Sequence, residues 1–449
     1  NVAAPQAALM MLKALGYFQY NEDFNGDWAR ATAQQAAQIR LFEGLNVQNN
    51  TQLTRNQVAQ LALNALEANT VNFNGNVGTT IPTANGTMNI GHRTSYEFRT
   101  STESKYNTLG SDGDKSDISN QGQYYIQLGE ELYDGKLTRR ADTDEFQRPA
   151  TTWRYDYQLV GTYVNDPDLT YTKGVDLGDI YADLGLSEKI GTDGEHYVDG
   201  KQVADVTLAR KDDTTTSGSS KGVLTQVWYD DYIRNGVRTR NLVITHINTY
   251  VGKVASVSKA TSSADRTITV TPYTGQGVPT VSPLNAKFET ENFEAKDLIT
   301  YTAAWNSSSK KYDIQTVEPL TESTTGTLTA WNGKTYGTDT GKSENNFTVA
   351  GTKYEYNANA VVVDEDAAQL SGVWSFKVNE SEVNVYLDKY GYAIYVAGVE
   401  GEKNYATVIG VGGNNPYGDQ TTGVTLLLPD GTKKTVTAKV KSGSTLSTQ

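Results

Sequence analysis

The chain has 449 residues, a net charge of −13 and a pI of about 4.9. A chain this acidic is a poor nucleic-acid binder, because phosphate contacts require clustered lysine and arginine. It contains no cysteine, which excludes disulfides, zinc–thiolate sites and cysteine nucleophiles. It also contains no run of about 18 apolar residues that could form a transmembrane segment. The length is too great for a single hydrophobic core and predicts about three or four domains.

Residues 1–16 predict a helix. Pro5 suits the first turn, where its missing N–H would have no intrahelical partner. Apolar residues then recur at helical spacing, at Ala8, Met11, Leu12 and Leu15. Gly16 follows as a candidate C-terminal cap.

Another helix is predicted to begin at Arg55. Thr54 is a good N-cap, and Gln57 stands three residues later, where its side chain can bond back to the N–H of the cap. The apolar stripe that follows consists of Val58, Leu61, Ala62, Ala65 and Leu66. This spacing is typical of a helix packed on one side.

The sequence from Asp27-Trp28 through Ala68 resembles the S-layer homology (SLH) module of bacterial cell-surface proteins. The resemblance rests on the early Trp28, a glycine-containing loop and the late Thr54-Arg55-Asn56-Gln57, where the family has a Thr-Arg-Ala-Glu-like tetrapeptide. The Asn-Gln pair departs from the Ala-Glu of the family. Residues 1–16 would then be the closing helix of a preceding repeat, so the chain is expected to begin part-way through the SLH region.

The resemblance implies a location and a ligand. SLH modules tether proteins to cell-wall polysaccharide, so residues 1–70 are predicted to be a partial SLH-like region of an extracellular protein at the cell surface. In the family, the corresponding tryptophan and arginine line a groove that binds an acidic, pyruvate-bearing wall glycan. Trp28 would pack on a sugar ring, and the Arg55 guanidinium would donate two hydrogen bonds to a carboxylate. The alternative is that Trp28 anchors the helix hairpin and Arg55 only occupies a first turn.

After about Ala68, helical stripes give way to short runs rich in Thr, Val, Tyr and Ile, separated by Gly, Asn, Asp and Ser. Residues 266–271 alternate strictly between polar and apolar, as a half-buried strand does. Residues 383–396 and 423–440 each predict two strands joined by a turn. This part of the chain is therefore expected to be β-rich.

The predicted fold class is multidomain and mainly β, with an N-terminal α-helical SLH-like region and small β-sandwich or β-barrel domains in series. After residues 1–70, the predicted β domains cover 71–249, 250–322 and 323–449. The first of them is expected to include one short helix near 176–185. It also includes a loop near 212–220, whose small polar residues predict flexibility.

Two acidic loops are candidate metal sites. Residues 112–117 place oxygen ligands at alternate positions, as a calcium loop does. The sixth position is Asp117 rather than glycine and the twelfth is Gln123 rather than glutamate, so this loop is not an EF-hand. Residues 364–366 form a similar acidic loop. The candidate calcium ligands are Asp112, Asp114, Asp364 and Asp366, and the alternative is that both loops are solvated turns.

No catalytic motif is present in the sequence. The three histidines are His92, His196 and His246, and none lies in a metal-ligand or nucleophile motif. The sequence also has no Gly-x-Ser-x-Gly elbow, P-loop or dinucleotide fingerprint. We therefore predict that the protein is not an enzyme. A carboxylate pair for glycoside hydrolysis stays open, because spacing in sequence says little about spacing in space.

These observations predict a structural cell-surface protein. It would be anchored to cell-wall polysaccharide through SLH repeats, and its β domains would assemble copies of it into a surface layer or a related extracellular assembly. Calcium is the one cofactor that the acidic loops suggest. A wall-anchored adhesin or glycan-binding protein is the first alternative, and a wall-anchored glycoside hydrolase is a weaker one.

Overall fold

A computed structural model describes residues 2–24, 26–47, 52–83, 86–109, 118–119, 121–187, 194–203, 218–234, 237–260, 265–273, 281–332, 346–363, 376, 378–399, 406–412 and 421–439. Within these ranges, N-terminal helices are followed by a series of small sheets, one of which closes into a barrel. The predicted multidomain, mainly β fold class is confirmed. No helix in these ranges is long and apolar enough to span a membrane.

The N-terminal region contains helices α1 at Ala4–Leu15, α2 at Trp28–Gln38 and α3 at Arg55–Glu67, with a 3-10 turn at Asn21–Phe24. As predicted, Pro5 lies in the first turn of α1, and Gly16 ends the helix with a φ of 104°. The fully buried leucines of this region are Leu12, Leu15, Leu41 and Leu61. Val71, Tyr96 and Leu128 pack against the same core, so residues beyond 70 help to complete it.

Helix α3 begins with the predicted capping box. Thr54 Oγ1 accepts a hydrogen bond from Gln57 N at 3.3 Å, and Gln57 Oε1 accepts one from Thr54 N at 2.9 Å. Because the hydroxyl satisfies an N–H that has no intrahelical partner, we expect Thr54→Ala to destabilise α3 by about 1 kcal/mol. Native-state hydrogen exchange of the α3 amides measures this loss. Thr54→Ser keeps the acceptor and should keep the protection, and equal protection in the alanine variant would contradict the prediction.

The chain leaves α3 into a long hairpin and then a group of short elements. These are β1 at Val71–Thr83, β2 at Gly86–Phe98, β3 at Thr100–Ser101, a 3-10 turn at Ser104–Tyr106, β4 at Tyr124–Tyr125 and α4 at Leu128–Leu132. The Glu130 carboxylate in α4 is buried and accepts hydrogen bonds from three backbone N–H groups. The donors are Thr108 at 2.7 Å, Leu109 at 3.2 Å and Gln127 at 3.1 Å. The bonds join α4 to the segment at Thr108 and Leu109. Leu128, in the same helix, packs in the core of the N-terminal helices.

A three-stranded antiparallel sheet follows, with β5 at Leu137–Thr143, β6 at Pro149–Tyr155 and β7 at Gln158–Val164 in spatial order. The turn between β6 and β7 uses Asp156 and Tyr157, which have φ angles of 47° and 68°. Arg148 connects this sheet to the next one. Its guanidinium pairs with Asp144 at 2.7 Å and donates a hydrogen bond to Gln226 at 3.1 Å.

The next sheet has five strands and one helix packed on it. The elements are β8 at Leu169–Tyr171, α5 at Leu177–Asp183, β9 at Gly194–Val198, β10 at Lys201–Gln202, β11 at Leu224–Arg234 and β12 at Val237–Ile247. The spatial order is β10-β9-β12-β11-β8, with β9 and β12 parallel. Helix α5 lies within the predicted 176–185, and the Asp176 carboxylate caps it. Its Leu177 and Tyr181 are buried in the core that this sheet forms.

A six-stranded sheet comes next. Its strands are β13 at Tyr250–Ser258, β14 at Thr267–Pro272, β15 at Leu284–Asn285, β16 at Lys287–Glu289, β17 at Leu298–Asn306 and β18 at Lys311–Pro319. They follow the spatial order β15-β18-β17-β13-β14-β16. In β14, Ile268 and Val270 are buried and Thr271 is exposed, which confirms the predicted alternation.

The following strands close into a barrel in the order β19-β20-β21-β23-β22. They are β19 at Glu322–Asn332, β20 at Asn346–Val349, β21 at Thr352–Val363, β22 at Glu382–Leu387 and β23 at Ala393–Gly398. Inside the barrel, the Phe347 ring stacks on Tyr354 and Tyr356, with centroids 5.5 and 4.8 Å apart. Strands β22 and β23 form the predicted hairpin, and the Asp388 carboxylate holds its turn by accepting a bond from Tyr390 N at 2.8 Å.

The last sheet described has three antiparallel strands, β24 at Thr407–Val411, β25 at Thr421–Leu427 and β26 at Lys433–Lys439. The second predicted pair of strands corresponds to β25 and β26. In the turn that joins them, the Asp430 carboxylate accepts a hydrogen bond from Thr432 N at 2.9 Å. A short aspartate-containing turn therefore sets this register, as the sequence predicts.

Buried polar side chains join the five-stranded sheet, the six-stranded sheet and the barrel. Asp199, which follows β9, accepts hydrogen bonds from Asn248 N at 2.8 Å and Asn248 Nδ2 at 3.0 Å. It accepts a third from the Tyr250 hydroxyl at 2.6 Å. Asn248 Oδ1 in turn accepts a bond from Asn359 Nδ2, in the barrel strand β21, at 2.9 Å. One polar network therefore links three successive sheets.

A second contact joins the five-stranded sheet to the barrel. Asn357 Nδ2 donates to the Gly222 carbonyl at 3.3 Å and to Asp388 at 2.6 Å. The approach is too close for a side chain, because a Cβ on Gly222 would lie 2.0 Å from Asn357 Nδ2. Beside it, Lys221 Nζ lies 3.3 Å from the Glu355 carboxylate. These contacts fix the orientation of the barrel relative to the five-stranded sheet.

Candidate functional site

Trp28 lies over a groove on the helical region. It is the first residue of α2, where the Asp27 carboxylate caps the helix by accepting a hydrogen bond from Arg30 N at 3.1 Å. Its side chain is 43% exposed. The groove has a volume of about 400 Å³ and is lined by Val2, Gln6, Leu9, Met10, Lys13 and Trp28. The ring is therefore accessible to a ligand, and it is not enclosed within the helix hairpin.

The lining of this groove favours an anionic ligand. Lys13 contributes a cation, and none of the other lining residues carries a charge. The Lys13 ammonium lies 6.0 Å from the centroid of the Phe24 ring, which is within the range of a cation–π contact. A ligand with an apolar face and an acidic group could therefore contact Trp28 and Lys13 together.

Arg55 lies near this groove and does not line it. It is the exposed first residue of α3. The segment just before it meets the start of α1, because Leu53 N donates to Val2 O at 3.2 Å and Gln52 bridges to Ala3. Since Val2 lines the groove, Arg55 begins its helix close to that end of it. In the part of the chain that the structure describes, no carboxylate pairs with the Arg55 guanidinium.

Sequence reasoning missed the contribution of α1 to this groove. Gln6, Met10 and Lys13 are spaced by four and three residues, which places them on one face of a helix. That spacing indicates that the three side chains share a face of α1. The sequence did not show that Trp28, from a different helix, lies over this face.

The four candidate calcium ligands, Asp112, Asp114, Asp364 and Asp366, lie outside the described residues. Among the residues with described positions, no group of three His, Cys, Asp or Glu side chains could hold a metal ion. Calcium binding therefore stays a prediction from sequence.

Three titratable groups are buried where β9 pairs with β12. The His196 and His246 rings meet edge to face with centroids 4.7 Å apart, and His246 Nδ1 lies 2.8 Å from Thr225 Oγ1. Burial, together with the charge of His196, lowers the pKa of His246 well below its usual value. Burial also raises the pKa of Asp199 to about 6, although hydrogen bonds from Asn248 and Tyr250 oppose this rise. These groups lie in the core and bear on stability.

Comparison with known proteins does not identify the chain. No family model matches it, and no curated protein matches it. Among solved structures, "drosophila Unr CSD456" is similar over 42% of this chain and 82% of that chain, at 12% sequence identity and a TM-score of 0.15. A TM-score this low carries no argument about fold or function.

Proposed function

We propose that this chain belongs to a structural cell-surface protein that contacts an acidic cell-wall glycan through its helical region. The observation that carries the proposal is the groove whose lining includes both the exposed Trp28 and the cationic Lys13. An aromatic face suits the apolar side of a sugar ring, and a cation suits a carboxylate on it. Arg55, exposed near the same groove, adds a guanidinium that can bind a carboxylate through two hydrogen bonds.

The β units are proposed to assemble copies of the chain into an extracellular layer. A longer terminal strand such as β26 of the last sheet, seven residues long, offers backbone groups for pairing with another chain. The buried Asp199–Asn248–Asn359 network holds neighbouring units in one geometry, and repeated subunit contacts require such a geometry. The net charge of −13 opposes close packing of copies. Calcium bound between carboxylates would relieve that repulsion.

The anchoring proposal predicts that Trp28→Ala and Arg55→Ala each weaken retention on purified wall sacculi. We expect roughly a tenfold loss in affinity for each, because each variant removes one direct contact with the glycan. Arg154→Ala removes an exposed arginine from β6 and serves as the matched control. Equal retention of wild type and Arg55→Ala would exclude Arg55 from the site. Failure of the wild type to be retained, even when it is joined to complete SLH repeats, would contradict anchoring.

The assembly proposal predicts that calcium promotes ordered association of the purified chain. Analytical ultracentrifugation and electron microscopy, with calcium and with a chelator, test it. We expect contacts of one fixed geometry, each covering more than roughly 1,000 Å² in total. A chain that stays monomeric at high concentration in both conditions would contradict assembly. If such a monomer bound a host glycan or protein, the adhesin alternative would be favoured.

A further inference from the structure

A second groove lies between α3 and the three-stranded sheet of β5, β6 and β7. Its volume is about 630 Å³, and it shares no lining residue with the Trp28 groove. Leu63 contributes to the helix wall, and Trp153 and Tyr163 contribute to the sheet wall. An ion pair between Glu67 of α3 and Arg139 of β5, 2.8 Å long, joins the two walls. The groove is therefore built from two elements that are held together.

The sheet wall presents flat aromatic faces. The Tyr163 ring lies over Gly161, where a Cβ would come within 2.9 Å of the ring. Trp153 is the cross-strand partner of Gly161, so the Trp153 and Tyr163 side chains share one face of the sheet. Tyr133 also lines the groove, and its ring meets that of Tyr155 edge to face, with centroids 5.8 Å apart. The Gly161 backbone lies against the Tyr163 ring, and Tyr163 stays 58% exposed.

The charged groups of this groove disfavour an anionic ligand. Glu67 neutralises Arg139, and Asp166 adds one more carboxylate. The lining therefore has one positive and two negative charges, a net charge of −1, which repels an anion. Gln60 and Asn165 add amides, which both donate and accept hydrogen bonds. This charge is opposite in sign to that of the Trp28 groove.

We propose that the groove between α3 and the three-stranded sheet binds a neutral oligosaccharide. A sugar ring has an apolar C–H face, which can pack on the Trp153 and Tyr163 rings. Its hydroxyl rim donates and accepts hydrogen bonds, as the amide and carboxylate groups of the lining require. The volume lies within the range of about 300–1,000 Å³ that is usual for ligand pockets. A protein partner would cover a larger surface, about 800 Å² on each side of a stable interface.

Calorimetric titration of the full chain with maltoheptaose, cellohexaose and hexa-N-acetylchitohexaose tests the proposal, because all three are neutral oligosaccharides. We expect at least one of them to bind the wild type. Trp153→Ala and Tyr163→Ala should each weaken that binding roughly tenfold, which corresponds to about 1.4 kcal/mol. Trp153→Phe keeps an aromatic face and should retain most of the affinity. Tyr157→Ala is the matched control, because this tyrosine is 90% exposed in the β6–β7 turn and does not line the groove.

Several results would overturn the proposal. One is that none of the three oligosaccharides binds the wild type, and another is that both alanine variants bind as the wild type does. Tyr163 is largely exposed, so Tyr163→Ala keeps the test decisive even where Trp153→Ala fails to fold. If Tyr163→Ala lowers self-association and the chain binds no oligosaccharide, this face contacts a second copy. Retention on wall sacculi through Trp28 and Arg55 is measured separately, so the anchoring proposal can fail without affecting this one.

Discussion

Replacing Asp199 with alanine should destabilise the folded chain by about 3 kcal/mol or more. The variant would leave the buried Tyr250 hydroxyl and the partly buried N–H and amide of Asn248 without their acceptor. Each buried donor left unsatisfied costs about 1–3 kcal/mol. Urea unfolding followed by tryptophan fluorescence measures the loss. Because Asn248 also binds Asn359, we expect the contact between the six-stranded sheet and the barrel to weaken as well.

Asp166→Ala provides a control for this substitution. Asp166 is exposed, and loss of an exposed carboxylate usually changes stability by less than about 0.5 kcal/mol. A loss in Asp199→Ala no larger than that in Asp166→Ala would contradict the role assigned to the buried network.

The Asp199 carboxyl also predicts a pH dependence. Its pKa is about 6 in the folded chain, above the ordinary value of 3.8, because burial disfavours the charged form. The folded state therefore holds the proton more tightly than the unfolded state. The resulting stability is fully present below pH 3.8 and is lost as the pH rises through about 6. Asp199→Asn should remove this dependence, and the unfolding free energies of both proteins between pH 4 and 7 test it.

His246 should produce the opposite dependence, with stability lost as the pH falls below 6.5. The folded pKa of His246 lies well below that ordinary value, because the ring is buried and faces His196. Protons then bind the unfolded state first, so stability falls as the pH drops below 6.5 until the folded imidazole titrates. The site is tight, since a Cβ on Gly218 would come within 2.8 Å of the ring.

Comparison of variants separates the two groups. Between pH 4 and 6 the effects of Asp199 and His246 oppose each other, so the wild-type profile alone does not separate them. His246→Gln removes the titrating ring, and we expect this variant to gain stability relative to the wild type as the pH falls. Parallel pH profiles for the wild type and His246→Gln would contradict the depressed pKa of the buried histidine.

Much of the local structure could be predicted from the sequence. The Thr54–Gln57 capping box, the Pro5 and Gly16 ends of α1 and the alternation in β14 are all present in the structure. Each depends on residues a few positions apart, and caps, turns and periodicity act over that distance. The order of strands could not be predicted in this way. The parallel pairing of β9 with β12 joins segments that are distant in sequence. The local pattern of each strand indicates which of its faces is buried, but it does not indicate which strand pairs with it.

The sequence indicated some residues of the candidate sites, and the tertiary structure showed which of them lie together. The sequence by itself pointed to Trp28 and Arg55 through a family resemblance, and helical spacing on α1 would also have indicated Lys13. Only the tertiary structure placed Trp28 over the Lys13 face, and only it brought Leu63 of α3 opposite Trp153 of β6. The physical reason is that local signals determine which way a side chain faces on its own element. Which distant surface it then meets is decided by the packing of whole elements against one another, and that packing depends on the entire chain.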